Sequence, residues 1–234
     1  MSFEMKNTFS QQLVNFFASG DEESFVNGEI ITHGDYPSGV FLITSGFVKV
    51  YSISDKGDKC IHIVYQSGEV FPLIWAFNGI RRRVFYEAIT NVTVQRVARD
   101  KFLKSVETNL ELSRKMLSEL SKQFMIYADR LDNLESKDAH ERITHRLLFL
   151  AGRFGVKQGS AVIIKAPITH ELIAESINLS RETVSREMEK LEGKKLISKT
   201  GKYIVISDVA AFADQFGDPV TLDLWGLDET SIEK

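Results

Sequence analysis

The stretch ITHELIAESINLSRETVSREMEKL, residues 168–191, predicts two helices joined by a tight turn. Thr169 and Ser180 are suitable N-caps for the two helices, and Asn178 tolerates the left-handed backbone that the turn requires. Ala174 is small enough to let the helices cross closely. Apolar side chains at helical spacing can form a shared core: Ile173, Ile177, Leu179, Val184, Met188 and Leu191. This pattern predicts a helix-turn-helix motif.

The second helix of this motif begins with side chains that can bind DNA. An arginine can donate two hydrogen bonds to guanine, and a glutamate can accept one from cytosine. We predict base contacts in the major groove from the outward-facing residues Arg181, Glu182, Ser185 and Arg186. The alternative is an ordinary solvated helix face, which leaves the small crossing residue and the turn unexplained.

Residues around this helix can contact DNA phosphates. The Ser180 hydroxyl and the free N–H groups at the helix start suit an anion. Farther along the chain, residues 196–199 and 202–206 are predicted to fold back on each other as a β-wing. Lys199 and Lys202 on this wing lie near enough for phosphate contacts. The alternative is that these lysines only make the hairpin soluble.

The first 98 residues predict short strands that are separated by glycine-containing turns. A period of two places Ile61, Ile63 and Tyr65 on one face of a strand. Residues 55–58 (Asp-Lys-Gly-Asp) supply a hairpin turn before that strand. This spacing predicts a jelly-roll or small barrel, which can enclose one small ligand.

A long helix is predicted to follow. Its apolar side chains alternate at spacings of three and four residues, so they form a seam of the coiled-coil type. The alternative is a helix that packs on its own barrel. A helix of ~25 residues spans about 40 Å, more than a small barrel covers, so part of the seam should meet a second copy. The predicted dimer interface comprises Leu117, Leu120, Phe124, Tyr127, Leu131 and Leu134.

The charge distribution agrees with a DNA-binding second half. The chain has 234 residues and a net charge of -3. Residues 139–216 hold 12 basic and 9 acidic side chains, whereas residues 217–234 hold 1 and 5. The acidic excess therefore lies outside the predicted DNA-binding segment, although a solvated surface can produce an asymmetry of this size.

Several classes of protein are disfavoured by the sequence. No apolar run reaches the length of a membrane span, and the N-terminus lacks the apolar core of a signal peptide, so we expect a cytoplasmic protein without membrane contact. Cys60 is the single cysteine, which excludes an internal disulfide and a cysteine-rich metal site. No metal-binding, nucleophile or phosphate-loop motif is present, so we expect neither an enzyme nor a cofactor. Haem ligation by His33 or His62 is an alternative, but lone strand histidines are more often structural.

The order of barrel, long helix and winged helix-turn-helix resembles the Crp/Fnr family of bacterial transcription regulators. The resemblance covers roughly residues 10–213 and is most specific in residues 168–174 and 179–186. It implies an α+β protein with an N-terminal jelly-roll β-barrel that is similar to a cyclic-nucleotide-binding domain. It also implies a long dimerisation helix and a C-terminal winged helix-turn-helix that binds palindromic DNA. In that family, effector binding rotates the DNA-binding domains into register.

The resemblance extends to the DNA-reading side chains. Arg181, Glu182 and Arg186 match residues that read GTGA-type half-sites in cyclic-AMP receptors. Glu182, Ser185 and Arg186 match the Glu-x-x-Ser-Arg pattern of oxygen-type regulators, whose half-site is closer to TTGA. His170 stands where the family often has a phosphate-binding arginine. The expected phosphate contacts are therefore Thr169, His170, Ser180, Lys199 and Lys202, and the expected partners are duplex DNA, a second copy of the chain and RNA polymerase.

The sensor half departs from the family pattern. Pro72 and Leu73 replace the glycine and the ribose-binding glutamate of cyclic-nucleotide binders. Arg82 and Arg83 keep positive charge near the phosphate position, without a hydroxyl residue directly after them, and a solvated basic turn is the alternative. We therefore expect no ordinary cyclic-AMP binding, but a different small anion, an apolar effector or none. The candidate effector pocket comprises Phe71, Leu73, Arg82, Arg83 and Tyr127.

These observations predict four segments and one function. The segments are a sensor barrel (residues 1–107), a dimerisation helix (108–137), a winged helix-turn-helix domain (138–216) and an acidic extension (217–234). The predicted function is homodimeric, sequence-specific regulation of transcription. The alternative is a ligand-binding dimer whose winged helix mediates protein contacts, and a steep salt dependence of DNA affinity distinguishes the two.

Overall fold

The computed structural model describes residues 11–135 and 138–214. The chain divides into two compact units, residues 1–128 and 129–234. The predicted acidic extension lies outside the described residues. Among the helices that are described, none is long and apolar enough to cross a membrane.

The first unit is built on two antiparallel sheets of four strands each. The order of strands is β1-β8-β3-β6 in one sheet and β2-β7-β4-β5 in the other, and this confirms the predicted jelly-roll. The strands are β1 (Asp21–Phe25), β2 (Ile30–His33), β3 (Val40–Ser45), β4 (Phe47–Ile53), β5 (Lys59–Gln66), β6 (Val70–Phe71), β7 (Phe85–Ala88) and β8 (Val92–Val97). The helices are α1 (Gln11–Phe17), α2 (Leu73–Asn78), α3 (Arg99–Thr108) and α4 (Leu110–Leu134).

Strand β5 shows how the sequence specifies this core. Ile61, Ile63 and Tyr65 are buried, as their period of two predicts. The predicted turn precedes the strand, and Gly57 has a φ of 87°, which is unfavourable for residues with a side chain. The Ser54 hydroxyl accepts hydrogen bonds from two N–H groups of the same turn. Local turn chemistry thus fixes the register of the β4–β5 hairpin.

The long helix carries two apolar faces. One face is buried in the first unit and contains the apolar Leu112, Met116 and Ile126, together with the polar Glu119 and Gln123. The other face contains Leu117 and Leu131, which are 66% exposed, and Phe124, which is 71% exposed. Of the other residues predicted to dimerise, Leu120 packs against the core of the first unit and Tyr127 lines a cavity there. Asn109 is extended and its side chain accepts from the Leu112 N–H, so α4 begins as a helix separate from α3. One helix therefore serves its own core and still presents apolar side chains to solvent.

The second unit contains a four-stranded sheet and the helix-turn-helix. Its helices are α5 (Ala139–Phe154), α6 (His170–Ile177), α7 (Arg181–Gly193) and α8 (Val209–Asp214). Its strands are β9 (Gly155–Gln158), β10 (Ala161–Ile164), β11 (Ile197–Thr200) and β12 (Tyr203–Ile206), paired in the order β11-β12-β10-β9. Asp138 caps α5 by accepting from the Glu141 N–H at 2.9 Å. The predicted winged helix-turn-helix is confirmed.

Candidate nucleic-acid interface

Helices α6 and α7 are joined by the short turn that the sequence predicts. Asn178 adopts a left-handed conformation with a φ of 54°, and its N–H donates to the carbonyl oxygen of Ala174. Thr169 caps α6 by accepting from the Leu172 N–H at 3.1 Å. Val184 of α7 is fully buried. The crossing of the two helices is therefore specified by local caps and by a shared apolar core.

Ser180 caps the second helix. Its hydroxyl accepts from the Thr183 N–H at 3.1 Å and lies 3.0 Å from the Thr183 hydroxyl. The first N–H groups of a helix have no partner within that helix, and the helix dipole makes this end electropositive. The start of α7 is thus suited to an anion such as a phosphate.

The outward face of α7 brings the predicted base-reading residues together. Arg181, Glu182 and Arg186 are exposed, and Ser185 is half-buried between them. With Glu189 they line one open surface depression. Two guanidinium groups and a carboxylate thus lie side by side on an accessible helix, which is the chemistry that base edges in a major groove require.

His170 lies beside this face, on helix α6. Its Nδ1 atom is 2.8 Å from the Ser185 hydroxyl oxygen. Burial lowers the pKa of His170 below its usual value, and the charges of Lys199 and Arg181 lower it further. The lowered pKa favours the neutral form of the imidazole. The sequence did not indicate this contact, because the two residues are 15 positions apart and belong to different helices.

The wing places its two predicted lysines in different environments. Strands β11 and β12 pair from Ile197 to Thr200, and Gly201 in the turn between them has a φ of 59°. Lys199 forms an ion pair with Glu192 at 2.9 Å. The Lys202 ammonium lies 5.6 Å from the centre of the Tyr203 ring. The Lys202 ammonium thus lies near an aromatic ring, whereas the Lys199 ammonium is paired with a carboxylate on α7.

The predicted effector pocket is a small cavity in the first unit. Of the predicted residues, Leu73, Arg82 and Tyr127 line it, together with Tyr65, Tyr86, Gln123 and other residues. Phe71 is fully buried and stacks on Tyr86, with ring centres 5.0 Å apart, whereas Arg83 is exposed. Neither Phe71 nor Arg83 lines the cavity. The cavity volume is about 20 Å³, which holds about one water molecule.

Side chains of the long helix close this cavity. The Arg82 Nη1 donates to the Tyr127 hydroxyl at 3.5 Å. Gln123 accepts from the Tyr65 hydroxyl at 3.5 Å and donates to the Val70 carbonyl oxygen at 3.3 Å. Burial raises the pKa of Tyr86 well above its usual range. Tyr86 and Gln123 were not identified from the sequence, because their role depends on contacts between segments far apart in the chain.

The histidines considered as haem ligands have local contacts. His33 packs edge-on against Phe85, with ring centres 5.2 Å apart. The Nε2 atom of His62 lies 3.0 Å from the Ser52 hydroxyl. In residues 11–135 and 138–214, no group of three or more potential metal ligands is present. These contacts are typical of structural histidines.

Comparison with known proteins identifies the family. A family model described as a cyclic nucleotide-binding domain matches residues 22–109. A second, described as a Crp-like helix-turn-helix domain, matches residues 141–214. Together these matches cover more than half of the chain, and they include both the jelly-roll and the motif that contains α6 and α7.

Curated relatives of similar length match most of this chain. The chain is 27% identical to the global nitrogen regulator of Nostoc sp., over 91% of this chain and 96% of that protein. It is 26% identical to the CRP-like cAMP-activated global transcriptional regulator of Mycobacterium tuberculosis, over 76% of this chain and 80% of that protein.

Solved structures show the same fold. A mutant of CooA from Carboxydothermus hydrogenoformans superposes with a TM-score of 0.77 at 18% identity, covering 91% of this chain and 97% of that one. The c-di-GMP responsive global regulator CLP of Xanthomonas campestris superposes with a TM-score of 0.69 at 18% identity, covering 84% and 98%.

The matched relatives are transcription regulators and not enzymes. They do not favour the alternative in which the winged helix serves only protein contacts. The helix-turn-helix of this chain is a DNA-binding element, as the sequence predicts. The chain therefore belongs to the Crp/Fnr family of DNA-binding transcription regulators.

Proposed function

We propose that two copies of this chain bind one palindromic duplex, with helix α7 of each copy in the major groove of one half-site. The observation that carries this proposal is the exposed cluster of Arg181, Glu182 and Arg186 at the start of a capped helix. Helices of this motif enter the major groove with the residues near their N-terminus against the base edges. A two-fold protein matches a two-fold site.

The side chains on α7 support a half-site of the GTGA or TTGA type. Arg181 and Arg186 each have the planar fork that binds the O6 and N7 atoms of guanine. Glu182 can accept a hydrogen bond from cytosine N4 on the complementary strand. Ser185 can contribute one further contact through its hydroxyl, which can donate or accept. Four adjacent side chains can thus specify a short half-site.

Phosphate contacts flank the base contacts. We assign them to Thr169, His170, Ser180, Lys199 and Lys202. Ser180 and the start of α7 bind a phosphate through N–H groups and the helix dipole. Glu192 and a DNA phosphate compete for the Lys199 ammonium, so Lys199 contributes less to phosphate binding than Lys202 does. These contacts hold the protein in register without reading sequence.

The exposed seam on α4 supports dimerisation. It contains Leu117, Phe124 and Leu131, which are exposed in the single chain, and Leu120, Tyr127 and Leu134, which are half-buried. Burying each large apolar side chain contributes roughly 1.5–3 kcal/mol. Two such seams together provide enough apolar surface for a stable pair of helices.

In this proposal, the sensor barrel does not bind cyclic AMP through the contacts that cyclic-nucleotide binders ordinarily use. The cavity of about 20 Å³ holds about one water molecule in this structure, and the Leu73 side chain provides no hydrogen-bond acceptor for a ribose hydroxyl. DNA binding then needs a different effector or none, and no bound cofactor.

Three of the four segments have a role in this proposal. Residues 1–107 form the sensor barrel, residues 108–137 the dimerisation helix and residues 138–216 the DNA-binding domain. No role is assigned to the acidic extension, residues 217–234. The protein acts in the bacterial cytoplasm, where RNA polymerase is a further partner when the DNA site lies beside a promoter.

Selection of binding sites from random duplexes tests this proposal. The full chain, without added nucleotide, should enrich two inverted half-sites, and adding cyclic AMP should change neither the sequences nor their affinity. Calorimetry of the free protein with cyclic AMP or cyclic GMP is the control and should give no micromolar binding. Enrichment that depends on either nucleotide would refute the sensor proposal, and enrichment of single or directly repeated half-sites would refute the mode of DNA binding.

A further inference from the structure

A hydrogen bond joins the two helices of the DNA-binding motif at a base-reading position. It connects His170 Nδ1 on α6 with the Ser185 hydroxyl on α7 at 2.8 Å. Among the described residues, Ser185 is the hydrogen-bond partner of the His170 imidazole. Ser185 lies on the outward face directly before Arg186. The bond therefore connects a predicted phosphate-binding residue with a predicted base-reading residue.

The charge state of His170 determines what this bond does. Burial lowers its pKa, the cations Lys199 and Arg181 lower it further, and the carboxylates Glu192 and Glu189 oppose this effect. The lowered pKa favours the neutral imidazole, in which one nitrogen donates and one accepts. The group bound by one nitrogen decides which role the other nitrogen has.

A phosphate at Nε2 selects one of the two neutral forms. In the neutral imidazole, a phosphate oxygen at Nε2 can only accept, so Nε2 carries the proton and Nδ1 is the acceptor. The Ser185 hydroxyl then donates its proton to Nδ1. The Ser185 oxygen is left to accept a hydrogen bond from DNA, and the major-groove donors are adenine N6 and cytosine N4.

We propose that His170 is a positioning residue that couples a phosphate contact to base selection, by fixing the Ser185 hydroxyl as an acceptor for adenine or cytosine. This inference rests on the proposed mode of DNA binding and adds the basis of selectivity at one position of the half-site. His170 reads no base itself; it acts through Ser185.

Two substitutions separate the functions of the two ring nitrogens. In His170→Asn, the shorter amide can occupy the position of Nδ1, so the contact to Ser185 is kept and the phosphate contact is lost. In His170→Gln, the longer amide can reach the position of Nε2, so the phosphate contact is kept and the contact to Ser185 is lost. Ser185→Ala defines the base position concerned.

The experiment measures dissociation constants of the full-length variants on the selected duplex and on its single-base variants at pH 7.5. At the position altered by Ser185→Ala, wild type should prefer adenine or cytosine by about fivefold, the effect of one hydrogen bond. His170→Gln should lose this preference and keep its affinity for the remaining sequence. His170→Asn should keep the preference and bind every duplex about fivefold more weakly.

Other outcomes overturn the inference. Equal preferences in His170→Gln and wild type would show that Ser185 is not positioned by His170, as would loss of preference in His170→Asn alone. If Ser185→Ala alters no position although Arg186→Ala does, this inference fails and the proposed mode of DNA binding stands. If wild type selects single or directly repeated half-sites, the proposed function itself fails. Thermal unfolding of each variant verifies that the fold is intact.

Discussion

Replacing Arg186 with alanine is expected to weaken binding to the selected site by about 1–3 kcal/mol and to make one base pair of each half-site degenerate. Arg186 is exposed on the outward face of α7, beside Ser185 and Glu189. Alanine cannot replace the two hydrogen bonds that the guanidinium donates to guanine. Fluorescence anisotropy with a set of single-base variants of the duplex measures both effects.

Lys202→Ala is the matched control for Arg186→Ala. Lys202 is an exposed cation on the wing and is assigned to a phosphate. Its loss should weaken binding almost equally on all duplexes and reduce the slope of log affinity against log salt by about 1. If Arg186→Ala behaved in the same way as Lys202→Ala, or bound every duplex as wild type does, α7 would not be the reading helix.

Phe124→Glu is expected to convert the protein into a monomer at micromolar concentration and to reduce its affinity for a palindromic duplex by about 100-fold or more. Phe124 is 71% exposed at the middle of the predicted seam, so the change costs the single chain little. In the dimer it would place two carboxylates in an apolar interface, where unpaired charge is strongly unfavourable. Sedimentation equilibrium measures the state of association, and anisotropy measures the DNA affinity.

Met125→Glu is the control on the same helix. Met125 is also exposed, at 42%, but it lies outside the repeat that includes Leu117, Phe124 and Leu131. It should leave both association and DNA binding close to wild type. A dimeric Phe124→Glu variant, or equal disruption by the two substitutions, would contradict the assignment of the seam.

Local signals in the sequence were sufficient to predict the DNA-binding motif. The caps at Thr169 and Ser180 and the left-handed turn at Asn178 each depend on residues within a few positions, and the structure has all three. The exposure of Arg181 and Arg186 follows from helical periodicity once the buried side chains are identified. The confirmed elements are therefore those that short segments specify.

Contacts between distant segments could not be predicted in the same way. The stacking of Phe71 on Tyr86, which lie on different strands, decides that Phe71 fills the core and does not line the cavity. The heptad spacing on α4 indicated one apolar face, but the face containing Leu112 and Met116 is also apolar and packs on the core of the first unit. Periodicity alone does not determine which face meets which partner.

The most direct test of the central claim is the dependence of affinity on the spacing between half-sites. Two recognition helices of a symmetric dimer reach half-sites about 10 base pairs apart, on one face of the duplex. Inserting about 5 base pairs, half a helical turn, should lower the affinity to that of a single half-site. Unchanged affinity after the insertion would contradict an account in which two copies of α7 read one palindrome together.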